Sequence, residues 1–317
     1  MTRATEGLAR SIQTRLASHA KAIGADPNLV LTRFATERLL YRLSVSPHAE
    51  RFALKGALLL LAWLGETLRP TRDADLLGFG DLSDAALLRI FREVCSLPVA
   101  PDGLAFPPDA IRVSGIRLED RYGGRRMTLR DELGKARLRV QVDVGIGDVV
   151  VPAPEWLEYP ALLDFSRPRL RVYRRETVVA EKVHAMVMLG SRNSRLRDFF
   201  DIRALAEREA FDGPTLTTSL RATFERRATP LPDRLPLALT SEFAASAEKQ
   251  SQWQGFLRRS GVSPHPGDLG AVVEELARFL GPALAAAVAG SDFPAVWPAG
   301  GPWVAGAEWP NGPLSRE

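Results

Sequence analysis

A glycine divides two apolar runs in "RFALKGALLLLAWLG", residues 51–65, and this segment constrains the fold more than any other. "FALK" reads as a short buried strand, and "ALLLLAWL" as an apolar helix that starts at once after Gly56. "RPTRDADLLGF", residues 69–79, then reads as a second strand with alternating side chains. Strand, helix and strand in that order point to an α/β fold. In an extended chain residues i and i+2 project to the same side. Asp73 and Asp75 therefore leave the sheet together, close enough to share one divalent cation. Mg²⁺ prefers oxygen ligands and takes one or two carboxylates plus substrate phosphates.

Helical spacing covers residues 4–44, with a glycine stop after "LARSIQTRLASHAKAIG" and a proline start before "NLVLTRFATERLLYRLSVS". Residues 81–97 form a further amphipathic pattern behind the cap residue Ser83. Between 110 and 150 the chain reads as strands, with Gly123-Gly124 as a turn. The proline-rich stretch 151–173 reads as a connector that leaves the sheet. Helical periodicity then continues to about residue 285. The last thirty residues are rich in Pro, Gly and Trp, a composition expected to form neither a helix nor a central strand at all. Their tryptophans suggest docking as far as residue 304. The expected layout is a sheet-bearing domain over 1–165, a mostly helical domain over 166–304 and a loose tail over 305–317.

With 317 residues, 45% of them apolar, the chain has material for two cores. One cysteine, Cys95, excludes a disulfide framework, and the histidines at 19, 48, 184 and 265 have no metal-ligand spacing. No apolar run long enough for a membrane span is present, and the N-terminus lacks an apolar export core, so a cytoplasmic protein is expected. Residues 112–139 and 167–175 are arginine-rich. If those arginines rim an acidic centre they suit a polyanion such as RNA, with Tyr122 and Tyr173 as candidates to stack on bases. Solvated strand faces and ordinary ion pairs are the alternative.

Three further pieces extend the aspartate pair. At Lys55-Gly56-Ala57 the glycine lets backbone approach a phosphate, and the following helix offers free N–H groups. Asp143, in "LRVQVDVGIGD", is a lone acid in an apolar strand and needs a partner or a cation unless it faces water at an edge. Lys182, in "VVAEKVHAMV", can neutralise triphosphate charge or pair with Glu176 or Glu181. Asp198 and Asp201 follow one helix later and compete for a site role, with Arg195 and Arg203 as local partners. His184 reads as a packed core residue.

Taken in order, "LKGALLL…RPTRDADLL", "VQVDVGIGD", "VVAEKVHAMV" and "SRLRDFFDI" resemble the AbiEii/MenT-type nucleotidyltransferase toxins, within the polymerase-β-like superfamily. The resemblance spans roughly residues 50–205. It implies a nucleotidyltransferase domain with a mixed sheet, followed by a mostly helical C-terminal domain. It also implies that Asp73 and Asp75 hold Mg²⁺, that Lys182 contacts the NTP and that Asp198 completes the site. Asp143 would be a third metal ligand or a proton acceptor. Such toxins transfer nucleotides to the 3′ end of tRNA and are neutralised by a separate antitoxin, possible here as a winged-helix protein. Some are silenced by phosphorylation two residues before the first aspartate, here Thr71. Two positions depart from the family pattern. Ala57 stands where Gly or Ser is common, and Arg197 where a lysine is expected. A small-molecule or protein hydroxyl as acceptor, or a non-catalytic binding module, are the competing expectations.

Overall fold

The computed structural model describes residues 3–65, 71, 73–116, 124–147, 150–262 and 265–306. Arg117, Arg121, Tyr122, Gly123 and the tail from 307 onward lie outside these described residues. The chain divides into two compact units. Met1–Trp63, Pro70–Val149 and Pro154–Tyr173 form the first, and Leu64–Arg69, Val150–Ala153 and Arg174–Glu317 the second.

The first unit opens with helices α1 (Arg3–Ala22) and α2 (Pro27–Ser44). Pro27 presets the first turn of α2, and Asp26 caps it by accepting the Asn28 amide at 2.9 Å. Strand β1 (Phe52–Lys55) turns at Gly56 into α3 (Ala57–Leu64), as the sequence predicts. Then come β2 (Asp73–Gly78), α4 (Asp84–Ser96), β3 (Arg112–Ile116), β4 (Gly124–Leu133) and β5 (Ala136–Ile146). The Ser83 hydroxyl caps α4, accepting the Ala86 amide at 3.3 Å. Finally β6 (Glu155–Glu158) and β7 (Arg169–Val172) close the unit.

These strands make a seven-stranded mixed sheet in the order β3-β4-β5-β2-β1-β7-β6. β2 is antiparallel to β1 and parallel to β5, while β1 is parallel to β7. Segment 151–173 therefore does not leave the sheet. Leu170 and Val172 bury on one side of β7 and give it strand alternation, while the prolines stay outside the paired residues. The sequence-based boundary at 165/166 falls between β6 and β7, inside this sheet. Buried Glu37 helps to hold the segment, accepting the Leu162 amide at 2.7 Å. Burial pushes the Glu37 carboxyl above its ordinary value, against the opposing pull of Arg38.

One face of the sheet is apolar. Met127 and Leu129 on β4, Val140, Val142 and Val144 on β5, and Leu76 on β2 are buried there. Helices α1 and α2 pack against β4 and β5. Alternation sends the intervening polar residues to the opposite face, which carries the candidate site.

The second unit comprises α5 (Arg175–Leu189), α6 (Leu196–Arg208), β8 (Phe211–Asp212), α7 (Gly213–Arg226), α8 (Ser241–Ala245), α9 (Ala247–Ser260), α10 (Leu269–Ala289), β9 (Ala295–Trp297) and β10 (Val304–Ala305). It is mostly helical, as expected. The C-terminal stretch corrects one expectation, because β9 is the middle strand of a small sheet ordered β10-β9-β8. Only three residues long, β9 fits between Pro294 and Pro298, so neither proline interrupts its ladder. Trp297 and Trp303 dock as predicted, and Trp309 lies outside the described residues. Trp297 Nε1 donates to the Ala206 carbonyl at 2.7 Å and Trp303 Nε1 to the Phe279 carbonyl at 2.8 Å. No helix among the described residues is long and apolar enough to cross a membrane.

Candidate active site

The parallel pairing of β2 with β5 sets Asp75 directly across from Asp143, and Asp73 across from Gln141. Asp73, Asp75 and Asp143 are all half-buried, between buried neighbours such as Ala74 and Val142, so the three acids share one sheet face. On the other side of β2, Lys55 is the register partner of Asp75. Its ammonium lies 3.5 Å from the position that a Cβ on Gly145 would occupy. Lys55 thus reaches across β2 towards Gly145 of β5.

Gly56 has φ +72°, a left-handed conformation that favours glycine. A Cβ at this position would collide with Oδ2 of Asp75. The glycine is therefore required twice, for the turn into α3 and for the close approach of the Asp75 carboxylate. Ala57 is the first residue of α3, so its amide sits among the unsatisfied N–H groups of that helix start. Thr71 is partly exposed, two residues before β2 begins.

Asp143 is not left to face water alone. Arg126 on β4, its register partner, donates from Nε to Oδ1 at 2.8 Å and from its terminal nitrogen to Oδ2 at 2.7 Å. These hydrogen bonds hold the Arg126 guanidinium above its already high ordinary pKa, and the charges of Asp143, Asp73 and Asp75 add to the effect. Sequence reasoning counted Arg126 with the RNA-facing arginines and missed this role. The signal was available in the register of the hairpin.

Carboxylate oxygens beside a glycine turn that a Cβ would fill are a donor set suited to Mg²⁺, and Asp73 and Asp75 would hold it. Among the described residues no group of three or more His, Cys, Asp or Glu is arranged to hold a metal ion by itself. Two carboxylates leave the remaining positions to substrate phosphates and water, the usual way in which Mg²⁺ is shared with a nucleotide.

In the second unit Lys182 on α5 meets both acids of the later motif, Asp198 Oδ1 at 2.6 Å and Asp201 Oδ2 at 2.8 Å. Asp198 and Asp201 thus share Lys182. They lie three residues apart on α6, on one side of the helix, and both reach one ammonium. Asp198 also meets Arg195 Nε at 2.9 Å. Glu181 takes Arg226 and Arg227 instead of Lys182, and Arg203 turns to Glu207 and Glu275. His184 is buried, with Nε2 at 3.0 Å from the Thr229 hydroxyl and its ring edge-on to Phe224, the packed core residue expected. Cys95 is buried too, and burial pushes its thiol up to about 12.

Tyr173 cannot stack on a base. It is 0% exposed, because "RVY" continues β7 into the core. Several arginines of the basic stretches are also engaged within the protein, Arg125 with Asp84 and Arg175 with Glu209.

No curated protein matches the chain in sequence. Among solved structures, the chain is similar to MenT4, a nucleotidyltransferase toxin from Mycobacterium tuberculosis. Identity is 21%, with a TM-score of 0.51 over 86% of this chain and 98% of that one. JHP933 from Helicobacter pylori matches with 14% identity and a TM-score of 0.42, over 80% of this chain and 88% of that one. The MenT4 likeness is one of fold. Family membership rests on sequence, since the profile of the nucleotidyl transferase AbiEii toxins of type IV toxin–antitoxin systems matches residues 38–288. The chain belongs to the AbiEii family of nucleotidyltransferase toxins.

Proposed function

We propose that this chain transfers a nucleoside monophosphate from an NTP to an RNA acceptor, the 3′ end of tRNA, with Mg²⁺ as cofactor. Translation and growth stop in the cytoplasm until a separately encoded antitoxin, of the winged-helix kind, counters it. The observation that carries the reading is the pairing of Asp75 with Asp143 on the face that also bears Asp73, beside a glycine that only a missing Cβ keeps open.

The reaction forms one bond, from the acceptor hydroxyl oxygen to the α-phosphorus. It breaks the bond from that phosphorus to the bridging oxygen, and pyrophosphate leaves with the electron pair. When bound, Mg²⁺ neutralises phosphate charge and lowers the cost of that departure. Asp73 and Asp75 hold it. Lys55 and the amides of Gly56 and Ala57 face the phosphates as fixed positive groups. Asp143, oriented by Arg126, keeps one lone pair on each oxygen and serves the acceptor hydroxyl, either taking its proton or, were it to hold a second cation, leaving that proton to water. Lys182 uses two of its three N–H donors on Asp198 and Asp201, and the third is its contact to the triphosphate. Thr71 is the position at which a phosphate would oppose the Asp73 and Asp75 charges.

Incubating the purified chain with each α-labelled NTP, Mg²⁺ and total tRNA tests the reading. Label on the RNA with one nucleotide, lost in Asp73→Ala, is the expected result. Label on a protein or small-molecule acceptor would move the chain to a different substrate class. No label with any NTP, together with unchanged growth inhibition by Asp73→Ala, would reject enzymatic action altogether.

A further inference from the structure

The acidic centre continues, on its own sheet face, into a basic strip. Residues alternate in and out along the β4–β5 hairpin, so Thr128 and Arg130 on β4 share a face with Gln141, Arg139 and Asp143 on β5. Arg130 and Arg139 are direct register partners, and both are exposed. Like charges set opposite one another across a ladder destabilise a sheet. Among the described residues neither arginine makes an ion pair, and Arg139 has only a 3.4 Å hydrogen bond to the Thr128 hydroxyl. Their neighbours differ, since Arg126 is committed to Asp143 and Arg137 lies 3.9 Å from Glu132.

The spacing along this strip is regular. Same-face residues on a strand recur about every 7 Å, comparable with successive phosphates of an extended nucleic-acid strand, and Arg139 stands about 13 Å from Asp143.

We propose that the exposed face of the β4–β5 hairpin is the path of the acceptor strand. It rests on the RNA reading above and adds where the RNA lies and in which direction it runs. The 3′ hydroxyl sits at Asp143, and phosphates of the preceding nucleotides, about 13 Å back along the strand, lie between the opposed Arg139 and Arg130.

Anisotropy of a labelled single-stranded RNA with the full chain, across a salt series, tests this apart from turnover. Arg130→Gln/Arg139→Gln is expected to weaken binding at least tenfold. Each lost phosphate contact on a single strand removes about 0.7 from the slope of log K against log salt, so the slope falls by about 1.4. Arg89→Gln/Arg92→Gln removes the same charge from α4 and changes neither. Asp73→Ala binds RNA like the wild type while its transfer is lost.

Wild-type affinity and slope in Arg130→Gln/Arg139→Gln would overturn the path, and label still reaching RNA in that case would leave the proposed function standing. Failure of the wild type to bind RNA overturns the path, and failure to label RNA overturns the function. Tighter binding of an acidic peptide than of RNA, lost in the double variant, would assign the strip to a protein partner and overturn the RNA path.

Discussion

Arg126 holds Asp143 by both carboxylate oxygens, at 2.8 and 2.7 Å, from the directly opposed position on β4. A bidentate fork fixes the plane of the carboxylate as well as its position. In the proposed reaction Asp143 would then present the same lone pairs to the acceptor in every turnover. Arg126→Ala should lower nucleotide transfer about 10- to 100-fold, the usual effect of removing a partner that orients a site ligand. The melting temperature should hardly move, because the Arg126 side chain is 40% exposed and such pairs contribute little to stability. Arg126→Lys keeps the charge and loses the fork, so it should restore only part of the rate. A wild-type rate in Arg126→Ala would show that the orientation of Asp143 does not matter to the chemistry.

Gly56 and Gly24 make a matched pair for a second prediction. Both have positive φ, +72° and +65°, but a Cβ at Gly24 meets nothing within 4 Å while one at Gly56 meets the Asp75 carboxylate. An L-residue in the left-handed region costs about 1–2 kcal/mol, so both alanine variants should lose comparable stability. Only Gly56→Ala should also lose transfer activity, because it displaces Asp75. Thermal melts and a transfer assay on the two variants separate strain from the clash. Equal activity in both would mean that Asp75 needs no glycine beside it.

How far the sequence could be read follows from what each position depends on. The shared face of Asp73 and Asp75 needs only the alternation of a strand. Asp143 was legible as a lone acid among valines, but its place opposite Asp75 depends on β5 lying beside β2, which no local pattern states. Arg126 was within reach. The two-residue connection Gly134-Lys135 fixes the β4–β5 register and so pairs 126 with 143, whereas counting arginines by charge hid it. Strands β6 and β7 were obscured by surrounding prolines, although "RLRV" alternates as a strand should. The partners of Lys182 were sought on its own helix. They lie on the next one, and their common spacing of three residues was the clue to their acting together.

The Lys182 cluster carries the third prediction, which concerns pH. Asp198 and Asp201 are 2% and 0% exposed, and both meet the ammonium. Lys182→Met removes that cation and leaves buried carboxylate charge, a change that typically costs about 3–5 kcal/mol. Burial by itself would drive the Lys182 ammonium down, but Asp198 and Asp201 outweigh it, and the group is held above its ordinary 10.5. A folded-state value raised above the unfolded one means that folding favours the protonated form. The contribution is then complete below the unfolded value and is lost only as pH climbs through the folded one. The gap in melting temperature between wild type and Lys182→Met should therefore stay constant across neutral pH and narrow only above about pH 10.5. A gap that closes between about pH 7 and pH 9 would mean that desolvation prevails over the two aspartates, and the ammonium would then be a poor anchor for a triphosphate.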